Sequence, residues 1–334
     1  MRVKAVIISC FLLVSLQGES QVLPSFGNSR TGTAGMQFLK ILPDARGNAL
    51  AGSYVAIADD ATSMFWNPAG ITLAGSQNRW NIASSYTAYF GGFNLAAASA
   101  VYKAKGDHFW GLYTYALNSP EMMETTELQP FGTGRTFKSS SSIVGMSYGK
   151  VLTNSFSFGV NAKYGREAYA DVAVNNVMFD LGLHYNVGIK NARFAVTLSN
   201  FGINVKPQGK VTILKHNAEE TIEDFERVSV PAIFRIGAAF DPIDKENHKL
   251  TLSAQLNHPT DNNETLAFGI EYLIRRTVYV RTGYEFGQDV SSLPPLGIGY
   301  RLPRKFGKMQ LDYTYQHQAS LGSVHRLTFG IALK

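Results

Sequence analysis

Hydrophobic and polar residues alternate one by one along most of the chain after residue 78. In one stretch, Phe156, Phe158, Val160, Ala162 and Tyr164 alternate with Ser157, Gly159, Asn161 and Lys163. The same period of two recurs in residues 177–187, 278–286, 309–316 and 326–333. This period is typical of β-strands that have one apolar and one polar face.

The alternation predicts fourteen strands. We place them near residues 79–90, 92–104, 108–119, 139–150, 154–166, 174–188, 191–203, 229–241, 248–258, 263–274, 276–286, 293–302, 307–318 and 323–334. An even number is expected when a single antiparallel chain closes into a barrel with both ends on one side. Closure is needed in a membrane, since an open edge would leave unpaired N–H and C=O groups in hydrocarbon.

Short connections alternate with other connections along the predicted series of strands. Every second link is short, and the intervening links include the two longest, at residues 119–138 and 204–228. Short periplasmic turns and longer outer loops are the arrangement of outer-membrane barrels. Within the second long loop, residues 218–227 could form an amphipathic helical turn or a solvated acidic face.

Composition agrees with a membrane barrel. Charged residues make up only 17% of the chain, aromatic residues 12%, and glycine occurs 31 times. The mean hydropathy of −0.06 is too polar for a helical membrane protein. In a barrel, apolar lipid-facing residues alternate with polar lumen residues, so the average hydropathy cancels. The expected fold is an all-β, 14-stranded antiparallel transmembrane β-barrel with an N-terminal hatch.

The N-terminus predicts export. Arg2 and Lys4 precede an apolar run at residues 5–16, and small polar residues follow up to a cleavage site near Ser20. We therefore expect a signal peptide at 1–20, a tether and lumen hatch at 21–77, and a barrel at 78–334 in the bacterial outer membrane. The only cysteine, Cys10, lies in the signal peptide, which excludes disulfides from the mature chain.

Residues 44–70 fit neither the export signal nor the strand pattern. They are rich in glycine and alanine and end in Trp66-Asn67-Pro68-Ala69-Gly70. Small residues let a backbone run close to other backbone, and Asn-Pro followed by Gly indicates a turn. A fourteen-stranded barrel encloses more space than its own side chains fill. This stretch is therefore predicted to plug the lumen.

The same stretch resembles known families. Residues 57–61 (IADDA) followed by Asn67-Pro68-Ala69 are similar to the N-terminal hatch of the FadL family of long-chain fatty-acid transporters. The wider pattern over residues 35–70 resembles the PorV/PorQ family within that fold. The hatch motif consists of Asp44, Arg46, Gly47, Gly52, Asp59, Asp60, Trp66, Asn67, Pro68 and Gly70. The resemblance implies a monomeric outer-membrane barrel whose best-known relatives act in type IX protein secretion.

Two functions follow from the resemblance. The leading hypothesis is a non-enzymatic barrel that binds a secretion channel or surface-attachment proteins. The alternative is a FadL-like transporter of hydrophobic small molecules such as long-chain fatty acids, with Met64, Phe65 and Trp66 of the hatch as ligand contacts. Met122, Met123 and Phe131 cluster in the first long loop, either as partner contacts or as part of a lid over the barrel.

Other site chemistries find little support. The seven histidines are scattered without metal-ligand spacing, and no nucleophile motif appears, so we expect no metal, no cofactor and no enzyme activity. No nucleic-acid partner is indicated, whereas outer-membrane lipid is an expected partner. Asp59 and Asp60 could bind a cation or cap a turn. Six charges on predicted lumen faces are expected to form mainly hatch-to-wall ion pairs: Asp180, Arg281, Glu285, Arg301, Asp312 and Arg326.

Overall fold

The computed structural model describes residues 34–75, 78–127, 129–215, 218–287 and 293–334, so the predicted signal peptide lies outside the described residues. Fourteen long strands form the main sheet. They are β1 (Trp80–Ala88), β2 (Asn94–Lys103), β3 (His108–Asn118), β4 (Ser139–Val151), β5 (Phe156–Tyr169), β6 (Val172–Asn186), β7 (Arg193–Gly202), β8 (Ile233–Asp244), β9 (His248–Pro259), β10 (Thr265–Ile274), β11 (Val278–Phe286), β12 (Leu296–Arg304), β13 (Gly307–Gln318) and β14 (Gly322–Leu333).

The sheet closes on itself. Each strand pairs antiparallel with its sequence neighbours, and β14 pairs with β1 from Trp80↔Leu333 to Ala88↔His325. The predicted fourteen-stranded closed barrel is confirmed. The strand boundaries differ by a few residues from the prediction. The strand expected at 229–241 begins at Ile233, two residues after Pro231, and runs on to Asp244 past a bulge after Phe240.

The two faces of the barrel differ in polarity. In β1, Asn81, Ser85 and Thr87 are buried, whereas Trp80 and Tyr86 are exposed. Burial alternates in the same way along the other strands, and apolar residues fill most outward positions. An apolar outer face around a polar interior suits a barrel surrounded by lipid. The structure therefore supports the predicted outer-membrane location.

The short turns lie at one end of the barrel and the long loops at the other. The link from β10 to β11 is a three-residue turn, Arg275–Thr277, in which Arg275 and Arg276 have positive φ and the Thr277 N–H donates to the Ile274 carbonyl at 3.0 Å. At the opposite end, the first long loop contains a small hairpin that pairs Met122–Met123 with Thr136–Phe137. The second contains a hairpin of Val211–Lys215 with Ala218–Ile222. The helical turn considered for residues 218–227 was wrong, because the backbone of Ala218–Ile222 pairs with the preceding strand instead.

Residues 34–75, called the inner segment below, form short helical pieces before the barrel begins. These are 3₁₀ helices at Gln37–Lys40, Ala61–Phe65 and Pro68–Gly70, together with α1 (Ala45–Ala49) and α2 (Ile71–Ala74). No helix in the described part of the chain is long and apolar enough to span a membrane.

The inner segment crosses the interior of the barrel. The Ala45 N–H donates to Thr328 Oγ1 of β14, and the Ala45 carbonyl accepts from Thr314 Oγ1 of β13. Farther along, Asn67 Nδ2 donates to the Leu183 carbonyl of β6. Since β6 and β14 lie on different sides of the ring, these bonds span the lumen. Most side chains of the segment are buried, so it supplies much of the apolar core.

Candidate functional site

Asp44 connects the two ends of the hatch motif. One carboxylate oxygen accepts from the Gly47 N–H at 2.6 Å and caps α1, and the other accepts from Trp66 Nε1. The Trp66 ring packs so closely on Gly47 that a Cβ there would lie 2.5 Å from it. Burial raises the pKa of Asp44 to about 6, against the lowering effect of its hydrogen bonds. The small residues of the motif are thus needed for packing.

Arg46 attaches the inner segment to the barrel wall. Its Nε and Nη2 donate to the two carboxylate oxygens of Glu271 on β10, at 2.8 and 2.9 Å. Its Nη1 donates to Asp59 and to the hydroxyl of Tyr54. Burial alone would lower the pKa of Arg46, but Asp59 and Glu271 raise it well above its usual value. A two-pronged contact of this kind fixes position as well as charge.

The wall continues this ionic chain. Arg281 Nε donates to Glu271 at 2.6 Å, and Arg281 Nη1 donates to Asp312 at 2.6 Å. Positive and negative groups therefore alternate from Asp59 through β10 and β11 to β13. Arg281 and Asp312 pair wall to wall, not hatch to wall as predicted. The inner segment instead pairs with the barrel through Arg46–Glu271 and Lys40–Asp261, pairs that the prediction did not contain.

Another buried cluster lies under β5 to β7. Asp180 accepts from Lys163 Nζ at 2.8 Å, from Asn161 Nδ2 at 2.9 Å and from the Asn200 N–H at 2.6 Å. Asn200 has positive φ at a bulge between β6 and β7. The second amide hydrogen of Asn161 reaches the Met64 carbonyl. Asp180 therefore accepts the hydrogen bond of the bulged Asn200 N–H, and it holds Asn161, which in turn contacts the inner segment.

The two neighbouring aspartates of the motif make different contacts. Asp60 caps the helix Ala61–Phe65 by accepting from the Thr62 N–H at 2.8 Å. Asp59 pairs with Arg46. Partial burial raises the pKa of Asp60, whereas the Arg46 guanidinium outweighs the partial burial of Asp59 and lowers the pKa of that carboxyl. Within the described residues, no group of His, Cys, Asp and Glu side chains could hold a metal ion.

The Asn-Pro-Ala-Gly turn is packed against β5 and β6. Asn67 Oδ1 accepts from the Ala69 N–H, and its Nδ2 donates to the Val55 carbonyl, both at 3.0 Å. The strand glycines Gly159 and Gly182 face this turn. A Cβ on Gly159 would lie 2.3 Å from the Pro68 carbonyl, and one on Gly182 would lie 2.1 Å from Asn67 Oδ1. Glycines of the wall thus make room for the motif.

The inner segment separates two cavities. The larger, about 490 Å³, opens among the connections at the long-loop end and is called the vestibule below. Its apolar lining includes Ile41, Leu42, Trp66, Phe90 and Ile233. The smaller, about 170 Å³, lies nearer the short turns and is lined by charged residues that include Asp59, Asp60, Arg301 and Lys308. Arg46 borders the smaller cavity and Trp66 borders the vestibule, so residues 46–66 form the partition.

Two buried arginines lie among the polar residues of the vestibule, which also include Lys40, Glu285 and several Asn and Gln side chains. Arg235 donates to Ser199 Oγ at 2.9 Å and Arg326 donates to Gln316 Oε1 at 3.0 Å. Both side chains are about 5% exposed. Within the described residues, neither forms an ion pair, and Arg326 Nε has no hydrogen-bond partner. The prediction included Arg326 but missed Arg235. The inward position of Arg235 in the alternating pattern of β8 could have identified it as a residue of the lumen.

The three predicted ligand contacts do not share one pocket. Trp66 lines the vestibule. Met64 and Phe65 lie deeper, in a cavity of about 20 Å³ beside Tyr113 and Tyr115. The Phe65 ring makes edge contacts with both tyrosines at centroid distances of 5.4 and 5.9 Å. Only Trp66 is therefore placed to meet a molecule that enters from the long-loop end.

The predicted outer-loop contacts lie on the hairpin of the first long loop. Phe131 is 95% exposed and Met123 is 58% exposed, while Met122 is half-buried. A lid would bury such side chains against other parts of the barrel. The exposure of Phe131 therefore argues against the lid interpretation for that residue.

Comparison with known proteins supports the fold. No protein-family model matches the sequence, and no curated protein matches it. The toluene transporter TbuX of Ralstonia pickettii superposes with a TM-score of 0.60 at 12% identity, covering 87% of this chain and 98% of that one. The toluene transporter TodX of Pseudomonas putida gives 0.58 at 11% identity, with coverage of 87% and 98%. A FadL homologue of Pseudomonas aeruginosa gives 0.51 at 12% identity, with coverage of 86% and 97%.

These similarities define the class of fold. The chain is a FadL-like outer-membrane-type β-barrel, as the hatch motif predicted. The narrower resemblance to the PorV/PorQ family is not supported by these comparisons.

Proposed function

We propose that this barrel carries hydrophobic small molecules across the outer membrane, entering through the vestibule. The observation that carries the proposal is the vestibule itself, an open cavity of mixed polarity that ends at the inner segment. Ligand pockets are typically apolar with a few well-placed polar groups. The fold similarity to toluene transporters supports the same conclusion. This reverses the order of the two functions that the sequence suggested.

In this proposal the inner segment is a plug. It is held at one side by Arg46–Glu271 and at another by the Asn67 turn, and it lies between the two cavities. A molecule bound in the vestibule therefore meets Trp66 and residues 51–52 before it can go farther. Passage requires the segment to move or a path to open beside it.

The vestibule arginines indicate a substrate with a polar or anionic head. A buried guanidinium that has only neutral partners gains from a carboxylate, since charged hydrogen bonds are roughly twice as strong as neutral ones. Arg235 and Arg326 meet this condition, and apolar residues lie beside them in the same cavity. A long-chain fatty acid fits this combination better than a plain hydrocarbon does.

Fluorescence of Trp66 tests the proposal. In a Trp80→Phe/Trp110→Phe background, Trp66 is the only tryptophan, because the chain has three. Titration with oleate should change the Trp66 emission saturably. Arg326→Gln should weaken oleate binding about tenfold, because the charged contact to the oleate carboxylate is lost. The same substitution should leave the binding of toluene unchanged, since toluene has no charge. Lys206→Gln, which changes an exposed loop cation, is the matched control. An emission that does not respond to either ligand contradicts the proposal.

A second candidate function is docking of a protein partner, such as a secretion or surface-attachment component, on the outer hairpin. The exposure of Phe131 and Met123 favours it, because clustered exposed apolar residues often mark a contact surface. Replacing Met122, Met123 and Phe131 with Ser should remove the partner from an outer-membrane pull-down without lowering barrel stability. Ile203→Ser, at another exposed site on the loop end, is the control. Equal recovery of partners from both variants excludes this role.

A further inference from the structure

The short-turn end of the barrel carries a concentrated positive charge. Four successive short turns, at β6–β7, β8–β9, β10–β11 and β12–β13, each present one or two exposed cations. They are Lys190, Lys245, Arg275, Arg276, Arg304 and Lys305, called the basic rim below. On the same four turns, only Asp244 and Glu246 are exposed carboxylates.

Within the part of the chain that the structure describes, most of this charge forms no ion pair. Arg276 pairs with Asp244 at 2.7 Å and donates to the Glu246 carbonyl, so it stabilises the turns. Among the described residues, none of the other five basic-rim side chains forms an ion pair. The long-loop end differs, because its exposed cations are interspersed with a similar number of glutamates and aspartates, and several pair with them.

The basic rim lies next to exposed apolar side chains. Ile189 precedes Lys190 and is 75% exposed, and Phe306 follows Lys305 and is 49% exposed. Above the rim, the outward faces of the strands carry Tyr185 and Tyr300 near the turns. Aromatic residues gather where the bilayer meets water, and long cationic side chains reach from that level to lipid head groups.

Aromatic side chains also lie on the opposite side of the barrel at the same end. Trp80, Tyr102, Trp110 and Tyr148 are consecutive register partners across β1 to β4, and their rings approach to 4.6 Å and 4.9 Å between centroids. A belt of this kind locates the membrane boundary at the short-turn end. The basic rim therefore lies at the level of the lipid head groups.

We propose that the basic rim binds anionic phospholipid head groups of the leaflet surrounding the short-turn end. Three observations favour lipid over an acidic protein partner. The cations follow four neighbouring turns along the circumference, they adjoin exposed apolar residues, and they lie just beyond an aromatic belt. A cation near a membrane surface is attracted to anionic lipid, and this attraction is weakened by salt. This inference is independent of what passes through the lumen.

The test uses the whole barrel reconstituted in phosphatidylcholine with trace spin-labelled phosphatidylglycerol or phosphatidylcholine. Electron paramagnetic resonance measures the fraction of labelled lipid that is motionally restricted by the protein. We expect the anionic label to be restricted about two- to fivefold more strongly at low salt, and high salt should reduce that preference toward one.

Variants assign the effect to the basic rim. Replacing Lys190, Arg275, Arg304 and Lys305 with Gln should abolish the preference for the anionic label. The matched control replaces Arg135, Lys138, Lys206 and Lys210 with Gln, which removes four exposed cations from the long-loop end. It should leave the preference unchanged. Arg276 is retained because its hydrogen bonds hold the turns together.

The outcomes separate clearly once heat-modifiable mobility on a gel has shown that each variant is folded. Equal restriction of the two labels by the unmodified barrel overturns the proposal. So does a preference that persists in the rim variant, or one that falls equally in the control. Loss of an acidic periplasmic protein from pull-downs of the rim variant, with no lipid preference in any sample, would assign the rim to a protein partner instead.

Discussion

Replacing Arg46 with Met tests the attachment of the inner segment to the wall. The side chain is 6% exposed, and its partner Glu271 is 7% exposed. Removing one member of a buried ion pair costs about 3–5 kcal/mol, because the other charge stays buried. Glu271 keeps Arg281, and Asp59 is partly exposed, so the lower end of about 3 kcal/mol applies here. Such a loss increases the population of a displaced segment roughly 100-fold.

Thiol labelling measures this displacement. The only natural cysteine lies in the predicted signal peptide, so a single cysteine can be placed at will. Ser53 is 1% exposed, and its hydroxyl has no hydrogen-bond partner among the described residues, so Ser53→Cys should be tolerated. A water-soluble maleimide should label Ser53→Cys about 100-fold faster when Arg46 is replaced by Met.

Two controls make the labelling result decisive. A cysteine at exposed Thr153 should react at the same rate with either residue at position 46. Lys206→Met, which breaks only an exposed pair with Asp224, should not change the labelling of Ser53→Cys. If Arg46→Met leaves the Ser53→Cys rate unchanged in a barrel of normal gel mobility, Arg46 does not hold the segment in place.

Two further predictions concern the same segment. Gly159→Ala should also speed labelling of Ser53→Cys and lower the unfolding temperature, because the added Cβ would lie 2.3 Å from the Pro68 backbone and overpacking costs about 1–3 kcal/mol. Gly330→Ala is the matched control, since a Cβ there would lie 3.9 Å from the nearest atom. Equal effects of the two substitutions would refute the packing argument. The segment should also loosen as pH rises from about 4 to 6: folding raises the pKa of Asp44 from 3.8 to about 6, so the stability it provides is greatest at low pH and is lost through this range. The labelling ratio of Ser53→Cys to Thr153→Cys should follow that course and become flat in Asp44→Asn, whereas an unchanged pH profile in Asp44→Asn would assign the effect to another group.

The barrel could be predicted from the sequence because its pattern is local. Alternation of Phe156, Phe158 and Val160 with Ser157 and Asn161 fixes which face meets lipid, whatever the neighbouring strand. The strand ends could not be predicted in the same way, because the bulge after Phe240 extends β8 beyond the predicted boundary. The hairpin at Ala218–Ile222 was missed because an acidic segment with spaced apolar residues suits a helix and a strand equally.

The candidate site could be predicted only in part. The small residues of the inner segment indicated close packing, and the structure places Gly47 against Trp66 and Gly159 against Pro68. The Arg46–Glu271 pair joins residues 225 positions apart, and no local pattern contains that information. The vestibule was hidden for the same reason, because Trp66, Phe90 and Arg326 meet only after the barrel closes.

The most direct test of the account is uptake of radiolabelled oleate by cells that lack their own barrel for hydrophobic compounds. Cells that make the unmodified protein should take up oleate saturably and several-fold faster than cells with an empty vector. Arg326→Gln should reduce this uptake, and Lys206→Gln should not. Uptake equal to that of the empty vector, with the folded barrel present in the outer membrane, would contradict the proposed transport function.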